Sequence, residues 1–347
     1  MVTHTRKTVS FKRIVLRLLA LELTPTTYNI KLNFILVAEN MTSTLLLEQI
    51  FNGLQAGITL FLIAAGLTLI LGIMDFVFLA HGSQVMIGAY AAAAITIATN
   101  NFYFGILAAI PITFVCGYLL EWLIIRHLYG RDHMDQVLAT FGLILFFNEA
   151  IRIGFGPAAL FTNFPSSLSG FIEILPDTPY PVYRILIILV GLLCALGIHL
   201  FVSRTRVGAM VRAGASNPEM TAALGINVKI LFRFIFAAGA TFAGLAGMMI
   251  GPLTSVEPGM GEPLLILSLV VIIIGGIGSV RGAFIAAILI GLVDTVGRVM
   301  LPMLFKTFMG VSTADTAGPA LASMSVYILM AVVLVFKPTG LFPPKGA

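Results

Sequence analysis

Residues 203–229 read SRTRVGAMVRAGASNPEMTAALGINVK, the one well-defined polar, basic loop in a chain that is otherwise almost continuous hydrocarbon. Arg204, Arg206, Arg212 and Lys229 lie in it, and Arg233 follows. Lys and Arg collect on the cytoplasmic side of membrane proteins, so this loop marks the inside. Within it, Asn217-Pro218-Glu219 has the order that starts a helix: an Asn to cap free N–H groups, a Pro at the first helical position, and an acid in the positive first turn. Gly225 supplies the stop. The implied helix over residues 218–224 is about 10 Å long at 1.5 Å per residue, too short to stand without packing on something. Its outward candidates Met220, Ala222, Ala223 and Leu224 are small or apolar, which suits a knob docking into a soluble partner. A plain solvated loop obeying the charge rule fits the same composition.

Of 347 residues, 59% are hydrophobic and 10% charged, with mean hydropathy +1.04. Soluble domains carry about 25% charged residues. The chain is therefore an all-α, polytopic membrane helical bundle of about 8–10 transmembrane segments, with no room for a soluble domain beyond its loops. A net charge of +5 then means anchoring of loops at a lipid surface and no nucleic-acid partner. Cys116 and Cys194 lie inside apolar runs and read as packing residues.

Taken at about 20 residues per crossing, apolar segments fall at 54–74, 77–98, 104–125, 136–155, 183–202, 230–251, 264–279, 282–300 and 320–336. Arg126 and Arg131 place a second loop inside, and Lys337 and Lys345 place the C-terminus there. Residues 156–183 and 252–262 lack Lys and Arg and fit outside. Residues 1–40 form a basic extension with Arg6, Lys7, Lys12, Arg13, Arg17 and Lys31. Two readings of it stay open: residues 11–23 as a basic amphipathic helix on the membrane surface, or translation beginning at Met41, where the character of the chain changes abruptly. The second part, residues 41–347, is the transmembrane domain. Nine full crossings would put the basic extension outside, against the charge rule. Either the extension is absent from the mature protein, or one segment enters and returns on the same side, the suspects starting near His81 and Gly275.

Both suspects carry helix-breaking chemistry. Ala80-His81-Gly82-Ser83 precedes Gly88-Ala89-Tyr90-Ala91, and Gly275-Gly276-Ile277-Gly278-Ser279 precedes Gly282-Ala283-Phe284, a Gly-Ser then Gly-Ala-aromatic repeat. Backbone freed at membrane depth must be buried in protein or face a water-filled path, and paired interruptions in a transporter point to its translocation site. His81, Gly82, Ser83, Gly275, Gly276, Gly278 and Ser279 are thus the candidates for the path. Chance similarity of Gly/Ala-rich helices explains the repeat nearly as well.

An enzyme needs a convergent reactive set, and the chain offers none: no Gly-rich phosphate loop with its Lys, no metal-spaced Cys/His set, no activated nucleophile. The intramembrane ionisable residues are His81, Glu121, Glu149, Arg152, His199, Asp294 and Arg298. Glu149 with Arg152 and Asp294 with Arg298 can pair along one helix face, a structural arrangement. Glu121 lies near Arg126 at the inner boundary, and His199 reads as a boundary residue. His81 beside a break is either a path residue or a structural hydrogen-bonding group.

These residues together resemble the permease subunit of bacterial ABC importers for branched-chain amino acids, of the first-permease type in the leucine/isoleucine/valine system. The likeness covers residues 48–338. It runs through Phe78-Leu79-Ala80-His81-Gly82 with Gly88-Ala89-Tyr90, Ala139-Thr140-Phe141-Gly142-Leu143, Phe155-Gly156-Pro157, Arg204-Thr205-Arg206-Val207-Gly208 with Arg212-Ala213, and Ala223-Leu224-Gly225-Ile226-Asn227-Val228. Ala243-Gly244-Leu245-Ala246-Gly247 and Gly275-Gly276-Ile277-Gly278-Ser279 with Gly282-Ala283 complete it. It implies a non-catalytic, multi-pass subunit of the bacterial inner membrane. Its implied partners are membrane lipid, a second homologous permease, two cytoplasmic ATPases that bind the ATP, and an extracytoplasmic solute-binding protein. This chain itself is expected to hold no cofactor and no metal. The resemblance also assigns ATPase coupling to residues 212–227, with Arg212, Asn217, Pro218, Glu219, Ala222, Ala223, Gly225, Ile226 and Asn227 as the contact set. Val77 and Leu79 depart from the family's Asn-Phe-Ala-His-Gly pattern, which leaves substrate open between branched-chain amino acids and urea or short amides. A stand-alone secondary carrier is the alternative outside this class.

Overall fold

The computed structural model describes residues 25–175, 178–306 and 311–342. The expected surface helix over residues 11–23, and Lys345, lie outside them. The chain divides into two units, Met1–Glu48 and Gln49–Ala347. Of the first, the helical start of α1 is described; the second is the bundle.

The helices are α1 (Pro25–Met74), α2 (His81–Thr99), α3 (Phe102–Leu123), α4 (His133–Phe155), α5 (Val182–Arg204), α6 (Arg206–Ser216), α7 (Pro218–Ala223), α8 (Val228–Ile250), α9 (Gly261–Gly275), α10 (Val280–Phe305) and α11 (Val311–Phe336). A hairpin of β1 (Phe171–Leu175) and β2 (Thr178–Pro181) sits in the loop expected outside, and Leu160 bridges Val256 to tie that loop to the next outer one. Among the described residues eight helices are long and apolar enough to cross a membrane, the first counted from Leu45 to Met74. Helix α9, with 15 residues, is about 22 Å long and falls short of the roughly 30 Å hydrocarbon core.

Connectivity corrects the expectation that one segment returns on its own side. The inner end of α1 lies against Tyr129, in the 126–131 loop, whose hydroxyl oxygen is 3.5 Å from the Met74 sulfur. The chain then turns at Asp75, with φ of 47°, residues 76–78 climb back into the bundle without helix, and a turn at residues 79–80 leads into α2. Helix α2 completes that crossing. Helix α8 ends outside, where Tyr183 donates its hydroxyl to the Met249 carbonyl at 2.9 Å. Residues 251–260 descend without a long helix, and α9 finishes the crossing at Gly275. Both suspects therefore cross: α2, with 19 residues, is itself long enough to span, while α9 is completed by irregular chain.

The first break is not made by glycine. Residues 75–80 read Asp-Phe-Val-Phe-Leu-Ala, with Phe76 and Phe78 fully buried and Val77 and Leu79 half-buried, the two-residue alternation of an extended strand. The Val77 N–H donates to Gln136 Oε1 at 3.1 Å and the Leu79 N–H to Thr140 Oγ1 at 3.4 Å. Gln136 and Thr140 lie four apart on α4 and so share one face. They replace the helical partners that these amides have lost. The family-departing Val77 and Leu79 are half-buried, and Leu79 also packs its side chain against the main core.

At the second break the C-terminal tail performs the same service. Gly276 takes φ of 104°, and the Leu341 and Phe342 N–H groups donate to the Ile274 and Gly275 carbonyls at 2.8 and 3.0 Å. The Ser279 hydroxyl caps α10 by accepting from the Gly282 N–H at 3.1 Å. Gly278 lies against Gly72 of α1, near its inner end.

The two broken crossings meet where Gly82 packs on Gly261. A Cβ on Gly82 would stand 2.6 Å from the Gly261 carbonyl oxygen, so only two glycines permit this approach. Gly82→Val should therefore cost at least about 1–3 kcal/mol of overpacking, read as a lowered melting temperature of the detergent-purified protein. Gly142→Ala, on α4 with nothing within 4 Å of the new methyl, should leave it unchanged or slightly raised.

Candidate functional site

Two regions carry the candidate residues: the cytoplasmic turn around α7 and the mid-membrane meeting of α2 with α9.

In the cytoplasmic turn the local chemistry behaves as the capping pattern requires. Thr205 Oγ1 accepts from the Gly208 N–H at 2.9 Å and starts α6, a helix within what reads in sequence as loop. Val211 and Gly214 of α6 are buried. A methyl on Gly214 would reach Leu231 and Phe232 of α8, so α6 lies on the first turns of α8. Asn217 Oδ1 accepts from the Met220 N–H at 2.9 Å, with Pro218 at the first position and Glu219 in the first turn of α7. Thr221, the buried residue of α7, donates its hydroxyl to the Asn217 carbonyl at 2.8 Å. Arg212, Asn217, Pro218, Glu219, Met220, Ala222, Ala223, Leu224, Gly225 and Asn227 are exposed, while Ile226 is half-buried. Gly225 has φ of 85° and nothing within 4 Å of a built Cβ. Its requirement is thus conformational, since αL backbone is costly for any residue with a side chain. Asn227 then caps α8 through the Ile230 N–H at 3.2 Å. A short, capped, exposed helix is joined to a transmembrane helix by only residues 224–227.

Helix α8 is gripped six residues further on. Arg233 Nε donates to Glu121 Oε2 of α3 at 2.8 Å and its Nη1 donates to the Tyr118 hydroxyl at 3.3 Å; the Tyr129 hydroxyl donates to Glu121 Oε1 at 3.3 Å. Glu121 is 1% exposed and Arg233 16%. Glu121, read in sequence only as near Arg126 at the inner boundary, thus pairs with Arg233, while the Arg126 guanidinium lies over the Trp122 ring. Burial, with Glu121 alongside, pushes the Tyr129 hydroxyl up from its ordinary range, so it remains a donor.

At mid-membrane, His81, Gly82 and Ser83 are all buried. His81 Nε2 is 3.1 Å from the Ile63 carbonyl and its ring lies edge-on to Phe78. Its Nδ1 is buried and has no hydrogen-bond partner among the described residues. Ile63 stands nine residues above Gly72, about 14 Å from the inner end of α1. Gly275, Gly276, Gly278 and Ser279 lie at that inner end, against the C-terminal tail and Gly72. The structure therefore does not bring the two Gly-rich stretches together, and the partner of the first is Gly261, inside a segment read as external loop.

Beside Gly261 the bundle presents a polar face at membrane depth. Asn148 Nδ2 donates to Glu262 Oε1 at 2.6 Å. Glu262 is exposed at the start of α9, and Glu149 and Arg152 form an exposed pair at 3.2 Å on α4. Asn148 is fifteen residues into α4, about 22 Å from its inner end. Ionisable groups at such depth face protein or water rather than lipid. By contrast α5 exposes Leu189, Leu192, Leu193, Leu196 and Leu200, a lipid-facing stripe. Asp294 and Arg298 pair on α10 at 2.9 Å as their spacing implies. Among the described residues no group of three or more His, Cys, Asp or Glu converges on a metal position. Cys116 and Cys194 are free thiols.

Residues 49–335 match the family described as the branched-chain amino acid transport system permease component. The chain belongs to this family. It is 31% identical over 314 residues to the high-affinity branched-chain amino acid transport system permease protein BraD of Pseudomonas aeruginosa, covering 85% of this chain and 95% of that protein. It is 25% identical over 309 residues to the corresponding LivH protein of Escherichia coli strain K12, with 85% and 94% covered. To the probable branched-chain permease LivH of Methanocaldococcus jannaschii it is 28% identical over 265 residues, with 72% and 80% covered. No solved structure matches. The chain is thus a multi-pass inner-membrane transport component and not an enzyme.

Sequence reasoning missed Gln136 and Thr140, Gly261, the Glu121–Arg233 pair and the Asn148–Glu262 pair. The i,i+4 spacing of Gln136 and Thr140 in an apolar helix is the one signal that was available for any of them. For the buried pair, Glu121→Leu in the permease should cost about 3–5 kcal/mol because Arg233 is left unpaired. Glu121→Leu with Arg233→Leu should recover much of it, measured as melting temperatures of the purified variants.

Proposed function

We propose that this permease is the membrane subunit of an ATP-driven, binding-protein-dependent importer of branched-chain or related small amino acids. It works with a second homologous permease, two cytoplasmic ATPases and an extracytoplasmic solute-binding protein. The single observation that carries the coupling part is α7: capped by Asn217, started by Pro218, stopped by Gly225, exposed, and joined by residues 224–227 to α8. Arg212, Asn217, Pro218, Glu219, Ala222, Ala223, Gly225, Ile226 and Asn227 form the contact with the ATPase. Displacement of α7 on ATP binding is passed to α8, which packs closely on α2 and α3 and is tied to α3 through Arg233 and Glu121. The ATPase drives transport only by favouring one arrangement of these helices over another. The branched-chain assignment rests on the names of the relatives in Pseudomonas, Escherichia and Methanocaldococcus. No observation favours urea, short amides or a stand-alone carrier. The chain needs no cofactor of its own, and ATP binds on the partner subunits.

The second permease meets the face formed by α4 and the start of α9, where Asn148, Glu149, Arg152 and Glu262 cannot sit in lipid at low cost. The translocation path lies along this face, with the buried His81, Gly82 and Ser83 shaping the α2–α9 contact behind it.

Gly225→Val and Glu219→Lys test the coupling. Gly225→Val meets no neighbouring atom, so insertion and folding should persist while α7 loses its end geometry. In the reconstituted complex, both variants should lower substrate-stimulated ATPase activity and uptake at least about tenfold, an interaction loss of about 1.4 kcal/mol, or release the ATPases on purification. Wild-type uptake together with wild-type ATPase retention in both would overturn the assignment.

A further inference from the structure

A large cavity opens between α5 and the α3–α8 pair above the cytoplasmic turn. Its volume is about 660 Å³, and its walls are almost wholly apolar, including Phe114, Phe201, Val207, Ile230, Phe234 and Ala238. That volume lies within the range of ligand-binding cavities, roughly 300–1,000 Å³. Its floor is Gly225, Ile226 and Asn227, the link between α7 and α8. Its top is set by Ala238, ten residues into α8, so it rises about 15 Å from the inner surface. That is the thickness of one leaflet of a roughly 30 Å hydrocarbon core. Phe114, Phe234 and Ala238 belong to helices long and apolar enough to span the membrane, so the upper wall of the cavity lies at bilayer depth.

The mouth is basic. Arg212 donates to the carbonyl of Val202, a wall residue, which places its guanidinium at the rim. Arg206 lies one helical turn before the wall residue Met210 on α6 and is exposed. Arg204, Arg206 and Lys229 make no ion pair among the described residues. An apolar slot one leaflet deep, with cations at the headgroup level, fits one occupant class: an anionic phospholipid of the inner leaflet, acyl chain between α5 and α8, phosphate beside Arg206 and Arg212.

We infer that this cavity is an anionic-phospholipid site built against the coupling link, so that the lipid stiffens residues 225–227 from the membrane side. The apolar wall supplies the chain's affinity and the basic rim supplies the headgroup preference. Because the inference rests on the cavity and its rim, lipid binding tests it independently of transport.

The test is native mass spectrometry of the detergent-purified permease with its partners, titrated with phosphatidylglycerol, with phosphatidylcholine of the same acyl chains, and with glycerol phosphate, which has no chains. Phosphatidylglycerol should be retained at one per permease, phosphatidylcholine several-fold more weakly, and glycerol phosphate not at all. Arg206→Gln with Arg212→Gln should cut the phosphatidylglycerol preference by roughly tenfold. Ile230→Trp and, separately, Val207→Trp should fill the slot and remove retention of both lipids; melting temperatures identify whichever variant fails to fold. Equal retention of the two lipids by the wild type, binding of glycerol phosphate alone, or undiminished retention in a folded filled variant would overturn the inference.

Discussion

A backbone amide or carbonyl at membrane depth has no water to fall back on, and the bundle is arranged around that constraint. Most of the chain meets it with uninterrupted helices. At two places it does not, and each is repaired by a different device. Residues 75–80 borrow the side chains of Gln136 and Thr140, while the end of α9 borrows the amides of Leu341 and Phe342. The repairs couple distant parts of the chain: α4 holds the approach to α2, and the C-terminus holds α9.

The consequence is a bundle in which two broken crossings meet at Gly82 and Gly261. Because α2 and α9 both start near that contact, two positive helix ends lie close together inside the bundle. Glu262, accepting from Asn148, sits at one of them on the face that lipid does not suit. On the cytoplasmic side the same economy recurs. The capped α7 is too short to hold itself, and α6 and the α8 N-cap hold it. The apolar slot above it gives the bilayer access to the same link that a cytoplasmic partner would move.

Much of this was legible in residues. The membrane class, the inner and outer loops, α7 with its caps and the family all follow from composition, Lys and Arg placement, and short ordered motifs. Glycine was a misleading guide to the first break, where a strand-like Phe-Val-Phe-Leu run carries the extended chain and no glycine lies within it. It was a sound guide to the second, where Gly276 and Gly278 take positive φ. The Gly-Ser repeat matched residues that the structure leaves at different depths.

Local chemistry alone determined what needs only near neighbours: which runs are apolar, which residues cap, which side of the membrane the cations hold. Those properties act over a turn or a loop, and one stretch of sequence contains all the partners. Tertiary structure decided the rest. Glu121 lies five residues from Arg126 yet pairs with Arg233, and Gly82 found its partner at Gly261, because such contacts depend on which helices lie side by side. A buried charge or an open backbone amide takes whatever partner packing delivers, and sequence distance has no bearing on that choice.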